Sequence, residues 1–197
     1  MTLNLLRLSA LLLLGGLCSC QSPAHLSTAA PHTEMAPAAK HAIDLSVRNN
    51  AWALLDELLN EEKHVSKLLI IKRESRELNR LIKNISETAG QGADRMKKIA
   101  KNLPGLDATV TMLPAGEKAV RASIAQEKKH LLLHSSGAEF EFQLLLTQFE
   151  ALGYGSHLAR VIAENEPQPA QAREFSSLSA HLHELQEQVL ARLRPTK

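Results

Sequence analysis

Two Glu-x-x-His spacings carry the most chemistry in this sequence, Glu61 to His64 and Glu127 to His130. On a helix, positions three apart share a face, so each spacing presents a carboxylate and an imidazole together. Two such pairs on different helices, with one further Glu from each of two others, can bridge two transition-metal ions inside a bundle. Glu61 falls on the apolar spacing of Leu54, Leu58 and Val65, and Glu127 stands beside Ile124 and Leu131. Against this, His64 and His130 point to the margins of those stripes, and the further carboxylates, Glu77 or Glu87 and then Glu184, fall off the apolar faces. The competing reading makes all of these rim residues paired with lysine and solvent. A looser cluster of His157, His181 and His183 would hold Zn or Cu at the surface instead. Other chemistry has less to work with. The sequence contains no Gly-x-Gly-x-x-Gly, no phosphate loop and no Gly-x-Ser-x-Gly, and Ser156 directly beside His157 is poorly placed as a nucleophile and base pair.

Helices must position these groups. Of 197 residues, 44% are apolar but only six are aromatic, four Phe, one Trp and one Tyr. Strand pairing and base stacking draw on aromatic residues, whereas the Leu, Ala, Glu, Lys and Arg that dominate here favour helix. From about Asp44, the residues Val47, Ala51, Leu54, Leu58, Val65 and Leu69 recur at helical spacing. Leu78, Ile82, Ile85 and Ala89 then fall about 150° round the helix from that stripe. The chain therefore turns near Lys72 to Ser75, with Ser75 as a cap, and helices are predicted over 45–72 and 75–102. A third starts at Pro114 and carries Val120, Ile124 and Leu131 to His134. It restarts at Ser136, whose spacing to Glu139 suits a capping box, and continues with Phe142, Leu145, Phe149 and Leu152. Gly153-Tyr-Gly155 is expected to break it again before a short segment, 156–165. After Pro169, the last helix carries Phe175, Leu178, Leu182, Leu185 and Val189. The expected fold is all-α, an antiparallel four-helix bundle with a broken third helix, occupying residues 44–194.

Charge is unevenly spread. Ten Lys or Arg stand against four acids between Lys67 and Lys101, and eight acids against two Arg between Gly137 and Leu190. Opposite charges on the second helix and the last two would steer their packing; the alternative is a basic face for anionic lipid or polysaccharide. With a formal net charge of only +2, no nucleic-acid partner is expected.

At the N-terminus, Arg7 precedes about ten apolar residues that end in small ones, a pattern of export signals and too short to span a bilayer. Within it, Leu17-Cys18-Ser19-Cys20 resembles a bacterial lipobox, with Leu three positions before Cys20 and a small residue just before it. The resemblance implies removal of residues 1–19 as a lipoprotein signal peptide, a diacylglycerol thioether on Cys20 and an acylated N-terminus of the palmitate type. Gln21 in place of Asp then implies the periplasmic face of the outer membrane. Ordinary cleavage after Ala30 is the competing reading, and Cys18 fits less well because Leu17 would occupy the small position. Residues 20–43 are the lipidated cysteine and a tether rich in Pro, Ala, Ser and Thr, including His25, His32 and His41. A flexible coil of that length reaches on the order of 25–30 Å.

The helical region resembles a family of exported bacterial domains of unknown function, described as predicted outer membrane proteins of ferritin-like fold. The likeness rests on Leu68-Leu-Ile-Ile-Lys-Arg-Glu-Ser75, Leu78-Asn-Arg-Leu81-Ile-Lys-Asn-Ile85, Met96-Lys-Lys-Ile99-Ala100 with Leu103-Pro104, Ser136-Gly137-Ala-Glu-Phe140-Glu141 and Leu178 to His183. It implies a ferritin-like bundle over roughly residues 50–190. The family's Asp-His pairs fall on Thr88 and Ala89 and on Ala151 and Leu152 here, so no site residue carries over. The leading expectation is a lipid-anchored, non-enzymatic binding or structural module of the cell envelope. It needs no cofactor, and its partners are the membrane, through the lipid, and an envelope protein. The alternative is a ferritin-like metalloprotein that binds or oxidises Fe, Mn, Zn or Cu through Glu61, His64, Glu127 and His130.

Overall fold

The structure is a computed structural model that describes residues 43–72, 74–103, 105–106 and 113–194. The expected signal segment, Cys20 and the tether as far as residue 42 lie outside the described residues. Within them the chain is all-helical: α1 Leu45–Glu62, a 3-10 turn Val65–Lys67, α2 Leu68–Ile71, α3 Arg76–Ala100, α4 Ala115–His134, α5 Gly137–Asn165 and α6 Pro169–Leu193. No described helix is long and apolar enough to cross a membrane.

Asp44 starts α1. Its backbone is extended, and its carboxylate accepts the amides of Ser46 and Val47 at 2.9 and 3.2 Å, two donors that the first turn leaves unpaired. The buried face of α1 runs through Arg48, Ala51, Trp52, Leu55, Leu58, Leu59 and Glu62. It stops at Glu62, short of the expected residue 72, and Ser86 of α3 supplies the reason. The Ser86 hydroxyl donates to the Lys63 carbonyl at 2.6 Å and lies 3.1 Å from the Ser66 hydroxyl. A carbonyl that a continuing α-helix would offer to residue 67 is thus engaged by α3, and Lys67 N donates to the His64 carbonyl instead. The resulting tighter turn places Val65 and Leu68 in the core. The predicted turn before Ser75 is present: Lys72 is extended, and the Ser75 hydroxyl accepts the Leu78 amide at 3.2 Å.

The expected third helix is two helices. α4 ends at His134 and α5 begins at Gly137, whose φ of 58° makes the reversal that a residue without Cβ accommodates most readily. Ser136 makes no side-chain capping bond, so the predicted box does not form although the restart does. The break expected at Gly153–Gly155 is absent, and α5 runs through it. These glycines permit close packing, since a Cβ at Gly155 would stand 3.0 Å from Leu58 Cδ2 and 3.3 Å from Leu182 Cδ1, and one at Gly153 would collide with the Gln186 amide. Gly155→Val should therefore lower stability by about 1–3 kcal/mol through overpacking, read as a drop in the urea midpoint at an unchanged slope.

Polar contacts give the register of each helix pair. Arg48 meets Glu166, and Glu62 faces Gln148, so α1 and α5 are antiparallel. Gly92 packs on Leu59, and Ser86 reaches Lys63, so α1 and α3 are antiparallel as well. Along α5 and α6, Ser156 and Ser179 exchange hydroxyl-to-carbonyl bonds at 3.0 and 2.9 Å, while Gln186 donates to the Phe149 carbonyl at 3.2 Å. Thr88 meets His181, and Arg95 meets Glu174, between α3 and α6. α4 lies along α5, joined by Lys128 to Glu150 and by Arg121 to Tyr154.

Two apolar clusters fill the interior. One gathers Leu78, Ile82, Ile85, Phe140, Leu144, Leu185 and Val189; the other gathers Trp52, Leu55, Leu59, Met96, Ile162 and Phe175. Val47, Val120, Leu131 and Phe142, all expected on core stripes, are exposed, Val120 and Phe142 at 54% and 49%. α4 buries only Ala125 and Leu132.

Candidate functional site

Glu61, His64, Glu127 and His130 are not brought together. Glu61 and His64 are half-buried at the end of α1, where burial and then the charges of Lys67 and Lys63 hold the His64 imidazole below its usual pKa. Glu127 and His130 are exposed on α4, which packs along α5 rather than closing over α1, so this Glu-x-x-His looks outward. Among the described residues, no three His, Cys, Asp or Glu side chains are grouped to hold a metal ion.

The surface cluster of His157, His181 and His183 is likewise not assembled. His181 and His183 stand two apart on α6, which turns them to different faces. Each imidazole also meets a different neighbour. His157 Nδ1 lies 3.0 Å from an Arg160 nitrogen, His181 Nε2 lies 3.3 Å from the Thr88 hydroxyl, and His183 Nδ1 lies 3.3 Å from Gln186 Oε1. Thr88, Ala89, Ala151 and Leu152 are all buried.

What the helices do bring together is a cleft between α3 and α6, with a volume of about 150 Å³. Gly92, Met96, Phe175 and Leu178 form its apolar floor; Gln91, Arg95, Glu174 and His181 form a polar rim. The floor is held from behind, since Phe175 meets the single tryptophan, Trp52, edge to face at 5.0 Å. At the rim, Arg95 and Glu174 are 4.0 Å apart and both largely exposed, a loose pair that another polar group can displace at little cost.

The buried charges lie elsewhere. Arg48 and Glu166 meet at 3.3 Å with side-chain exposures of 2% and 0%. Arg48 Nε and Nη2 also donate to Asn49 Oδ1 at 3.1 and 2.9 Å, and Asn49 Nδ2 donates to the Gly105 carbonyl at 2.8 Å. Glu166 Oε1 accepts the Gln168 amide at the start of α6, and Asn165 Oδ1 accepts the Asp44 amide, both at 3.0 Å. One network thus joins the beginnings of α1 and α6, the end of α5 and the segment after α3. Every member has a partner, as buried polar groups require.

Glu62 is different. Burial, reinforced by the charge of Glu61 and opposed by Gln148, pushes its carboxyl up to about 7. Gln148 faces it, yet among the described residues Glu62 Oε2 and both amide atoms of Gln148 close no hydrogen bond of good geometry. The pair sits between the two apolar clusters, with Leu59 and Ala151 in one and Val65 and Leu145 in the other.

Sequence reasoning missed Arg48 and Glu62, although a signal was present. They occupy the two ends of the spacing Arg48, Trp52, Leu55, Leu59, Glu62, so the helix periodicity that buries the middle buries them too. Compared with known proteins, the chain matches no family model, no curated protein and no solved structure.

Proposed function

We propose that the chain is a lipid-anchored, non-enzymatic binding module of a bacterial cell envelope, built as a ferritin-like four-helix bundle. The connectivity supports the bundle. α1 pairs with α3, and α5 pairs with α6, each antiparallel. Since α5 opposes α1, the chain must travel from one end to the other between α3 and α5, and the 20 residues of α4 span about 30 Å on that path. Two antiparallel hairpins joined by one long crossover is the connectivity of ferritin-like bundles. The anchor rests on Leu17-Cys18-Ser19-Cys20 and the tether-like composition after it. An acylated Cys20 would hold the domain at the periplasmic face of the outer membrane, since more than one acyl chain gives stable attachment.

The α3–α6 cleft carries the binding reading, because an apolar floor with a few polar groups at its edge is how proteins receive ligands. Its volume of about 150 Å³ suits a group of benzene size, such as one side chain of an envelope protein. Of the ionisable groups that the fold buries, Arg48 and Glu166 are committed to each other and to the helix ends, which suits a scaffold.

A photo-reactive amino acid at Gln91, on the rim, tests this in the native envelope beside one at Arg160, on the exposed surface of α5. The expected result is a discrete crosslinked product from position 91 and none from 160. Equal labelling from both positions, or none from either, contradicts the reading.

A further inference from the structure

α4 is the least engaged of the long helices, and its last turns hold a feature that the cleft does not use. His130 and His134 stand four residues apart, a separation that puts two side chains on one helix face, one turn apart. Both are exposed. Their rings are stacked, with centroids 4.0 Å apart and planes inclined by 21°.

His134 is further specified. Its Nδ1 lies 2.8 Å from the backbone carbonyl of His130. A carbonyl only accepts, so Nδ1 bears the proton, and in the neutral ring the lone pair is left on Nε2. A ring nitrogen that donates to a backbone carbonyl while the other stays open is how proteins fix imidazoles that bind metals.

We propose that His130 and His134 form a two-imidazole site for one divalent transition-metal ion of the Cu(II), Ni(II) or Zn(II) class, on the surface of α4. In the stacked pair the two rings lie face to face within one turn of α4, near enough for one nitrogen of each to reach the same ion. A turn of the exposed His130 ring about its terminal torsion, which has broad minima, lets them converge on one ion. The site differs from the Glu61, His64, Glu127 and His130 arrangement. It lies on a single helix, needs no convergence of elements and uses no carboxylate. Two protein ligands leave further positions to water, so the ion exchanges readily, and affinity should follow the order Cu(II) above Ni(II). The open positions are where a donor atom from another molecule could complete the coordination.

The test is equilibrium dialysis of the full chain, without a polyhistidine tag, against Ni(II), together with His130→Ala, His134→Ala, the double variant and His181→Ala. Either single substitution should weaken one Ni(II) site at least tenfold. The double variant should lose no more than the singles, because a chelate is broken by losing either arm, and His181→Ala should stay within twofold of the parent. Both rings are exposed, so the variants should keep the parent's thermal midpoint. In a second measurement, substoichiometric Ni(II) should broaden the imidazole resonances of His130 and His134 before those of the other seven histidines. Unchanged Ni(II) binding in both single variants, or earlier broadening of any other histidine, overturns the proposal.

Discussion

Arg48→Met should lower the free energy of unfolding by about 3–5 kcal/mol, the range for stranding one member of a buried ion pair. Nothing can solvate the stranded partner, since Glu166 has a side-chain exposure of 0%. Its carboxylate would keep the Gln168 amide, at 3.0 Å from Oε1, and lose the guanidinium at Oε2. Asn49 would also lose the two guanidinium bonds that hold its carbonyl, loosening its own bond to Gly105. For a domain whose total stability is of order 5–15 kcal/mol, this is a large fraction. Removing both charges together, as Arg48→Met with Glu166→Leu, should recover most of the loss, because an apolar pair of similar volume suffers no desolvation penalty. Urea denaturation of the two single variants and the double variant measures this. A single variant within about 1 kcal/mol of the parent would show that the pair is solvated.

The second large effect depends on pH and concerns Glu62. Its carboxyl has an ordinary value of 4.5 and is pushed up to about 7 in the fold, by burial first. Below pH 4.5 the group is protonated in both folded and unfolded chains and adds no pH dependence. Between 4.5 and about 7 the unfolded chain releases the proton while the folded chain keeps it, so stability falls as pH rises. Above that window the fall stops, after a loss on the order of 3 kcal/mol. Glu62→Gln removes the titration while keeping the shape beside Gln148. Its stability should therefore lack this decline, matching the parent's trend below pH 4.5 and gaining on it by pH 8. Urea midpoints at pH 4, 5.5, 7 and 8 for the two proteins measure the difference. Parallel curves across that range would mean that Glu62 is ionised in the fold.

Both effects lie in positions that periodicity marks only as inside. The sequence is most legible where local chemistry and packing agree. Ser75 caps α3 as its type and position suggest, and Phe175, Leu182, Leu185 and Val189 of α6 are buried at the predicted spacing. It is least legible where one residue type serves two purposes. Gly153 and Gly155 read as a helix break, but their missing Cβ atoms make room for Gln186, Leu58 and Leu182, and those partners come from other helices. Val120 and Leu131 have helical spacing and remain exposed, because apolar spacing marks a face without saying whether anything covers it. The Glu-x-x-His pairs fail as a joint site for the same reason. Local spacing aligns Glu127 with His130, but only the path of α4 decides that they look outward. Arg48 and Glu166 lie 118 positions apart, beyond any local pattern.

The proposed anchor is the feature on which the envelope reading depends most. Protein extracted from its native envelope and analysed by intact mass spectrometry and N-terminal peptide sequencing tests it directly. The expected result is a mature chain that begins at Cys20 and carries diacylglycerol on its sulfur and a fatty acyl group on its amine, with Cys20→Ala released from the membrane fraction. A chain that begins elsewhere, or an unmodified Cys20, would contradict it.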